Sequence, residues 1–230
     1  MYDVLIVGGG PAGLSAALAL GRARKRVLVC DDEPRRRNAA AEHLHGFVTR
    51  DGTPPQEFRR IAREQLTPYG VEIRDSRVQS IGGKRDAFRI TLQGGADVEA
   101  RRILLATGMI DELPDIEGFR ELWGKSIFIC PYCHAWEVRD RRFAYIAPNA
   151  SMLDFAHFLR GWTDDVIVLT NAAFIVPRDS GHRVFEARIR RVFEGGVELE
   201  DGKRLDVDVI FAKPPQRQVP IVASLGVALD

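Results

Sequence analysis

Short apolar runs alternate with helical patterns along the first third of the chain. Val4 to Val7 form a continuous apolar run that ends at glycines, Leu14 to Leu20 are rich in alanine and leucine, and Val27 to Val29 form a second apolar run. Continuous apolar runs of this kind are typical of strands that are buried on both faces. The pattern therefore predicts a strand, a helix and a second, parallel strand.

The rest of the first half continues with further elements. Thr53 and Gln56 occupy the two positions of a capping box, which predicts that a helix begins there. Residues 71–98 contain short apolar pieces separated by paired glycines, which predicts a small antiparallel meander. Ile103 to Ala106 then predicts a returning buried strand.

The second half of the chain repeats this order of elements. The corresponding segments are Phe143 to Ile146, Leu153 to Leu159, Val166 to Val168, the hairpin pattern of Arg188 to Leu199, and Val207 to Ala212. Such self-similarity indicates two related domains in tandem. We therefore predict an α/β fold with two Rossmann-like nucleotide-binding domains, each with a parallel sheet and an antiparallel meander, at residues 1–111 and 112–230.

The turn after the first strand has the glycine pattern of a dinucleotide site. In Gly8-x-Gly10-x-x-Gly13, the first glycine permits a tight turn, the second lets the backbone approach a pyrophosphate, and the third lets helix and strand pack closely. Asp31 ends the second strand, where a carboxylate can accept hydrogen bonds from ribose hydroxyls. The strand, helix and acid together favour a dinucleotide site over a simple glycine-rich turn.

The second domain lacks these residues. Ala147, Asn149 and Met152 stand at the three glycine positions, and Thr170 stands at the position of the acid. A methionine side chain obstructs the approach of a pyrophosphate to the helix. We therefore predict that this domain binds NAD(P)H poorly or not at all, and serves as a scaffold for the cysteine pair.

The segment Cys130-Pro131-Tyr132-Cys133-His134 contains two of the three cysteines of the chain. In a reducing compartment, such a pair is more typical of catalysis or metal binding than of a structural disulfide. Its place after an apolar run predicts a helix N-terminus, where the helix dipole raises the thiolate fraction. Together with the dinucleotide site, the pair indicates a flavin that exchanges electrons with a disulfide.

His134 is the nearest group that can move a proton near neutral pH, and Glu137 is a second candidate. The alternative is that His134 only caps or packs a helix turn. Cys30, within the second strand, is expected to be a small buried core residue.

Two further interpretations of the cysteine pair stay open. The order Cys-x-x-Cys-His is also the attachment signal of a c-type haem, but that chemistry requires export and does not suit a parallel α/β context. The pair could also form half of a zinc site, although a structural zinc needs about four ligands and only Cys30 and scattered histidines remain.

Charge and composition exclude other classes of function. The formal net charge is +1, with 28% charged residues, so no strong field favours nucleic acid or an acidic membrane surface. No apolar stretch reaches the roughly 18 residues of a membrane span. The chain enters a strand pattern without a charged leader, which predicts a cytoplasmic protein.

The glycine pattern and the cysteine segment together resemble the thioredoxin reductase group of FAD-dependent pyridine nucleotide-disulfide oxidoreductases. The run Cys130 to Glu137 is most similar to the branch that includes the gliotoxin-type dithiol oxidases. The resemblance implies that Cys133 faces the flavin and Cys130 exchanges with the substrate. It also implies that FAD is bound by the following residues: Gly8, Gly10, Pro11, Ala12, Gly13, Asp31, His45, Val78, Ala106, Thr107 and Gly108.

The resemblance also implies that the protein is an FAD-dependent thiol–disulfide oxidoreductase and forms a homodimer. Its reaction partner would be a thioredoxin-like protein or a small-molecule dithiol. One alternative is a dithiol oxidase that uses oxygen. The family also has a C-terminal segment that completes the flavin site and returns to the first domain, and we expect it to be absent before Asp230. A non-catalytic, truncated paralogue is therefore a further alternative.

Overall fold

A computed structural model describes residues 1–32, 41–177 and 180–228. Within these ranges the strands are β1 (Tyr2–Val7), β2 (Val27–Asp31), β3 (Glu72–Asp75), β4 (Val78–Lys84), β5 (Ala87–Leu92), β6 (Asp97–Leu105), β7 (Met109–Asp111), β8 (Ile127–Phe128), β9 (Phe143–Ile146), β10 (Val166–Leu169), β11 (Arg183–Phe185), β12 (Ile189–Phe193), β13 (Gly196–Leu199), β14 (Arg204–Asp206), β15 (Val209–Ala212) and β16 (Gln216–Gln218). The helices are α1 (Pro11–Arg22), α2 (Pro55–Leu66), α3 (Phe119–Leu122), α4 (Pro131–His134), α5 (Asp154–Leu159) and α6 (Pro220–Ala223), with 3-10 turns at Thr67–Tyr69 and Ala150–Met152.

The described residues form two compact units. The first unit contains residues 1–32, 53–110 and 216–228, and the second contains 41–52, 111–177 and 180–215. This grouping differs from a single break near residue 111. Residues 216–228 join the first unit because β16 pairs with β7 and Ile221 packs on the buried cluster around β4 and β5.

The first unit is built on a six-stranded sheet with the order β3-β2-β1-β6-β5-β4. Strand β1 lies parallel to both neighbours, with Leu5 opposite Leu28 on one side and Ile103 on the other. The predicted strand–helix–strand unit is thereby confirmed. Buried residues of α1 and α2, including Leu14, Ala17 and Leu66, pack on one face of the sheet.

Two predictions for the first unit were wrong. Glu72–Asp75, taken as part of an antiparallel meander, is a parallel strand beside β2, and only β4, β5 and β6 form the meander. A four-residue strand carries too few apolar positions to reveal its direction. Thr53 does not cap α2, because Pro54 is the N-cap residue and no side chain bonds the helix end. Pro55, which has no N–H group, removes one of the donors that a cap would satisfy.

The second unit repeats the parallel arrangement, as the sequence predicted. Its main sheet has the order β11-β10-β9-β15-β8, and all these strands are parallel. The hairpin of β12 and β13 extends to β14 as a separate antiparallel sheet. Two clusters of buried apolar residues, one around Phe119 and one around Phe211, form the core of this unit. Within the described ranges, no helix is both long and apolar enough to cross a membrane.

Candidate functional site

The carboxyl ends of β1, β2 and β6 meet at one edge of the first sheet, here called the dinucleotide edge. The Gly8 N–H donates a hydrogen bond to the Cys30 carbonyl oxygen at 2.8 Å, and the Ala106 N–H donates to the Val7 carbonyl oxygen at 2.8 Å. Thr107 and Gly108 continue from Ala106 into a loop, where Gly108 has φ +64°. The edge therefore brings together the glycine segment, the end of β2 and the Ala106–Gly108 segment.

Three glycines at this edge have different surroundings. A Cβ atom on Gly8, where φ is +111°, would lie 2.3 Å from the Ala106 carbonyl oxygen, and one on Gly13 would lie 1.9 Å from the Gly8 carbonyl oxygen. A Cβ atom on Gly10 would meet nothing within 4 Å. Pro11 and Ala12 are exposed in the first turn of α1. The backbone is thus tightly packed below the turn and open above Gly10, as a bound pyrophosphate requires.

The carboxylate of Asp31 lies directly against the glycine turn. A Cβ atom on Gly9 would be 2.5 Å from its Oδ2 atom, and the Asp31 residue is 5% exposed. Arg63 reaches Asp31 Oδ2 at 3.6 Å and also pairs with Asp75. Val78 begins β4 and is buried in the same cluster as Cys30.

The cysteine pair lies at the carboxyl end of β8 in the second unit. Cys130 is the N-cap residue of α4, as predicted, and is joined to Cys133 by a disulfide whose Cα atoms are 5.3 Å apart. The Cys133 N–H donates to the Cys130 carbonyl oxygen at 3.2 Å. Both cysteines are half-buried, whereas Tyr132 between them is 73% exposed.

The His134 ring stacks on Phe128, with ring centroids 4.3 Å apart and planes 18° from parallel. Burial lowers the pKa of His134, a positive charge on His45 would lower this pKa further, and the Glu137 carboxylate acts in the opposite direction. His134 therefore favours its neutral form, which can accept a proton.

His45 lies in the second unit, close to Glu137. Its Nδ1 atom is 3.5 Å from Glu137 Oε1 and 3.7 Å from Asp51 Oδ1. Asp51 also accepts a hydrogen bond from the Gly46 N–H at 2.8 Å, and the Gly52 N–H donates to the Leu44 carbonyl oxygen at 2.8 Å, which closes the loop. Neither Asp51 nor the contact between His45 and Glu137 was predicted from the sequence, since no local pattern links residues so far apart in the chain.

An aromatic patch, formed by Tyr132, Phe158 and Trp162, lies beside the cysteine pair. The Tyr132 ring meets Phe158 edge-on at 5.4 Å and Trp162 at 5.8 Å. Phe158 and Trp162 are themselves 5.2 Å apart. Trp136 is also exposed, and the Arg139 guanidinium lies 4.2 Å from the centre of its ring.

The carboxyl edge of the second sheet is occupied by side chains of its own. Ala147 is buried after β9, and Asn149 precedes the 3-10 turn that contains Met152. Thr170 follows β10 and is fully buried. Lys213 follows β15, and its Nζ atom lies 3.6 Å from the centre of the Phe155 ring.

Burial lowers the pKa of Lys213. In the described part of the chain, no group of three or more His, Cys, Asp or Glu side chains could hold a metal ion.

Comparisons with known proteins give consistent results. A family model described as pyridine nucleotide-disulphide oxidoreductase matches residues 2–208. A probable thioredoxin reductase from Arthroderma benhamiae is 38% identical over 177 residues, which cover 74% of this chain and 44% of that protein. Thioredoxin reductase tcpT from Claviceps purpurea is 43% identical over 143 residues, which cover 60% of this chain and 44% of that protein. The chain thus spans less than half the length of these curated relatives.

Solved structures match over almost the whole chain. The crystal structure of an oxidoreductase from Agrobacterium tumefaciens has a TM-score of 0.93 and 37% identity, and the match covers 100% of this chain and 80% of that one. The crystal structure of HlmI has a TM-score of 0.88 and 35% identity, with 97% of this chain and 75% of that one covered.

Proposed function

Because this chain belongs to the pyridine nucleotide-disulphide oxidoreductase family, we propose that it is an FAD-dependent thiol–disulfide oxidoreductase that moves electrons between the flavin and the Cys130–Cys133 pair. The observation that carries the proposal is the disulfide at the N-terminus of α4, in a chain that also has the three glycines and Asp31 at its dinucleotide edge. The activity, substrates and partners of the whole protein are part of this proposal.

The dinucleotide edge fits FAD. The space above Gly10 accommodates the pyrophosphate, and the N–H groups of Ala12 and Gly13, in the first turn of α1, lack helical partners and can donate to it. Asp31 is assigned to the adenosine ribose, and Gly8 to the tight turn. FAD, when bound, supplies a carrier that accepts or donates two electrons.

Further residues are assigned to the same cofactor. Pro11 starts the helix that faces the pyrophosphate, the Val78 backbone is assigned to the adenine, and Ala106, Thr107 and Gly108 are assigned to the flavin. His45 is assigned to the flavin as well, in addition to its contact with Glu137.

The cysteine pair exchanges with the substrate through a mixed disulfide. The Cys130 thiolate attacks one sulfur of the substrate disulfide, that S–S bond breaks, and the released sulfur takes a proton. The Cys133 thiolate then attacks Cys130, the Cys130–Cys133 bond forms, and the second substrate sulfur leaves and takes a proton. The substrate gains two electrons and two protons, and the reverse sequence oxidises a dithiol.

His134 is assigned the proton transfers of this exchange. It directly follows Cys133, and its stacking on Phe128 holds the ring in place. In its neutral form it accepts the proton of a thiol and so produces the attacking thiolate, and in its protonated form it returns that proton to a leaving sulfur.

The second unit is proposed to bind NAD(P)H poorly or not at all. Three positions that need glycine hold Ala147, Asn149 and Met152, and the Lys213 ammonium and the Phe155 ring lie against each other at the same edge. The flavin would then exchange electrons with a donor or acceptor other than NAD(P)H.

A second candidate function is the oxidation of a small-molecule dithiol with oxygen as the final acceptor. The observation that favours it is the exposed ring of Tyr132, a residue that stands between the two cysteines in the sequence and whose ring contacts Phe158 and Trp162. Aromatic faces suit a compact, apolar ligand. The thioredoxin-reductase candidate instead requires a thioredoxin-like protein as partner. Both candidates are proposed as cytoplasmic homodimers.

One set of assays distinguishes these functions. The FAD-loaded chain is mixed anaerobically with a reduced small dithiol or with reduced thioredoxin, and flavin absorbance is followed before and after oxygen is admitted. Flavin reduction by the small dithiol and reoxidation by oxygen support the oxidase, whereas reduction by thioredoxin alone supports the reductase. A folded chain that binds no flavin would be a non-catalytic paralogue and would refute both.

A further inference from the structure

The helix turn that carries the cysteine pair is short and depends on its neighbours. The helix α4 consists of only the four residues Pro131–His134, and a single helical turn is not stable on its own. Its inner side is buried, since Pro131 is buried and the next residue, Ala135, is 0% exposed in the cluster around Phe211. Tyr132, by contrast, is 73% exposed. The outer side of the turn is therefore held by the groups that contact Tyr132.

The other two rings of the aromatic patch make these contacts. Phe158 meets the Tyr132 ring at 5.4 Å with an angle of 61° between the planes, and Trp162 meets it at 5.8 Å with an angle of 86°. Phe158 and Trp162 also meet each other edge-on, at 5.2 Å and 75°. Edge-to-face contacts are a favourable arrangement of aromatic rings. The three rings thus form a closed triangle, in which each ring limits the movement of the other two.

The triangle is anchored in the core of the second unit through α5. Phe158 belongs to this helix, whose Leu159 is fully buried. The Phe158 ring lies 5.8 Å from the Phe155 ring, which lies 5.0 Å from the ring of the fully buried Tyr145 on β9. A continuous series of ring contacts therefore connects the main sheet of this unit with Tyr132.

We propose that Phe158 and Trp162 are positioning residues that hold Tyr132, and with it the turn of α4, so that Cys130 and Cys133 stay close together after their disulfide is reduced. The Cα atoms of the two cysteines are 5.3 Å apart in the disulfide-bonded chain. The importance of this device for turnover rests on the proposed function. The redox equilibrium of the pair, however, can be measured without flavin.

The aromatic patch acts on the equilibrium between the disulfide and the dithiol. Reduction breaks the covalent link between Cys130 and Cys133, and a turn that is then free gains conformational entropy, which favours the dithiol. A turn that is still held by the aromatic patch gains less entropy, and its two thiols keep a high effective concentration toward each other. The aromatic patch therefore favours the disulfide, and its loss should make the pair easier to reduce.

Phe158→Ala is the main test, because Phe158 is 39% exposed and its replacement leaves the buried core intact. The loss of an edge-to-face contact should shift the equilibrium constant toward the dithiol by about 2- to 10-fold. Since tenfold is about 30 mV for this two-electron couple, the reduction potential should become less negative by about 9–30 mV. Phe193→Ala is the matched control, because Phe193 is 38% exposed and lies on β12 of the same unit, outside the aromatic patch.

The full chain is equilibrated without oxygen in buffers of reduced and oxidised dithiothreitol. The reagent gives two electrons and two protons to the cysteine pair, whose S–S bond breaks while the reagent closes its own disulfide. The samples are quenched with acid, denatured and labelled with a maleimide, and the added mass gives the fraction of reduced pair. The free thiol of Cys30 adds one label to every sample and so serves as an internal standard.

A double variant distinguishes an action through Tyr132 from a general loosening of the unit. Tyr132→Ala should shift the equilibrium in the same direction as Phe158→Ala, and the addition of Phe158→Ala to Tyr132→Ala should change it little further. Tyr132→Phe keeps the ring and should retain the equilibrium of the original chain. Fully additive shifts in the double variant, a shift toward the disulfide, or equal values for Phe158→Ala and Phe193→Ala would each overturn the inference.

The inference and the proposed function fail in different ways. If Phe158→Ala shifts the equilibrium as expected but the FAD-loaded chain shows no flavin reduction by a small dithiol, the proposed function fails and the inference stands. If the flavin is reduced but the equilibrium does not shift, the inference fails and the proposed function stands. Should Phe158→Ala not fold, the comparison of Tyr132→Ala with Tyr132→Phe, at an exposed position, decides the question.

Discussion

Replacement of Gly13 by alanine is expected to weaken the first unit, whereas the same replacement at Gly10 leaves it nearly unchanged. The added Cβ at Gly13 would lie 1.9 Å from the Gly8 carbonyl oxygen and 3.3 Å from Ile6 Cγ2. Real Cβ atoms do not approach closer than 3.0 Å, so α1 must move away from β1 by about 1 Å. The clash and the resulting displacement of α1 from β1 are expected to cost about 1–3 kcal/mol of stability. The higher helix propensity of alanine offsets up to about 1 kcal/mol of this cost.

Gly10→Ala is the matched control for the fold and the matched test for the cofactor. Gly10 has φ −80° and ψ −177°, which any residue adopts, and its Cβ would meet nothing within 4 Å. The change at this N-cap position should cost about 0.5–1 kcal/mol at most. The methyl group, however, occupies the space assigned to the pyrophosphate, so FAD affinity should fall even though the fold is kept.

The chain contains a suitable probe for each unit. Cys30 is the free cysteine of the described chain, is 2% exposed, and lies on β2 of the first unit, so its labelling rate by a thiol reagent reports opening of that unit. Trp123, Trp136 and Trp162 all lie in the second unit, so their fluorescence serves as the internal control. A net cost of about 1–2 kcal/mol should make Cys30 in Gly13→Ala label roughly 5- to 30-fold faster than in the original chain, since each 1.4 kcal/mol corresponds to about tenfold, and faster than in Gly10→Ala. Equal labelling of Gly13→Ala and the original chain, or an equal loss of stability in the second unit, would show that Gly13 does not set the approach of α1 to β1.

Two other predictions concern the second unit. The Arg142 guanidinium donates hydrogen bonds of 2.6 and 2.9 Å to the Asp208 carboxylate, and these bonds lower the pKa of Asp208 to about 2. Asp208→Asn should therefore reduce the free energy of unfolding by about 1 kcal/mol at pH 7. Asp206→Asn is the nearly neutral control, because the Asp206 side chain is 85% exposed. Because the pKa is lowered in the folded state, this contribution is present above pH 3.8 and is lost as the pH falls toward 2, so urea titrations of the two chains should converge there, and a constant difference down to that pH would contradict the assignment. Ile127→Ala, at a fully buried position, should cost about 2–5 kcal/mol, whereas Ile175→Ala, at a position that is 82% exposed, should change stability by less than about 0.5 kcal/mol; similar losses in the two variants would be inconsistent with this core.

Local patterns were sufficient for the parts of the fold that depend on near neighbours in the chain. The apolar runs of β1 and β2, the glycines of the turn between them and the repeat in β9 and β10 were all predicted, because a buried parallel strand and a tight turn each restrict residue types over a few positions. The position of Cys130 at the start of α4 was predicted for the same reason.

Other features depend on contacts between distant segments. The direction of β3 is set by its pairing with β2, and the pairing of β16 with β7 brings the last described residues back to the first unit. The approach of His45 to Glu137 likewise depends on tertiary packing, since neither residue belongs to a pattern that names the other. Thr53 shows that a local pattern can also mislead. Its capping-box spacing predicted the helix cap, but the two prolines that follow it move the N-cap to Pro54.

Electron exchange between the flavin and the Cys130–Cys133 pair can be followed in the flavin spectrum. The chain is loaded with FAD, a small dithiol is added without oxygen, and the absorbance of the flavin is recorded in the original chain and in Cys133→Ser. We expect the flavin of the original chain to be reduced rapidly and the flavin of Cys133→Ser to stay oxidised, although both retain FAD. Reduction at equal rates in both chains, or a folded original chain that retains no FAD, would show that the flavin and the cysteine pair do not exchange electrons.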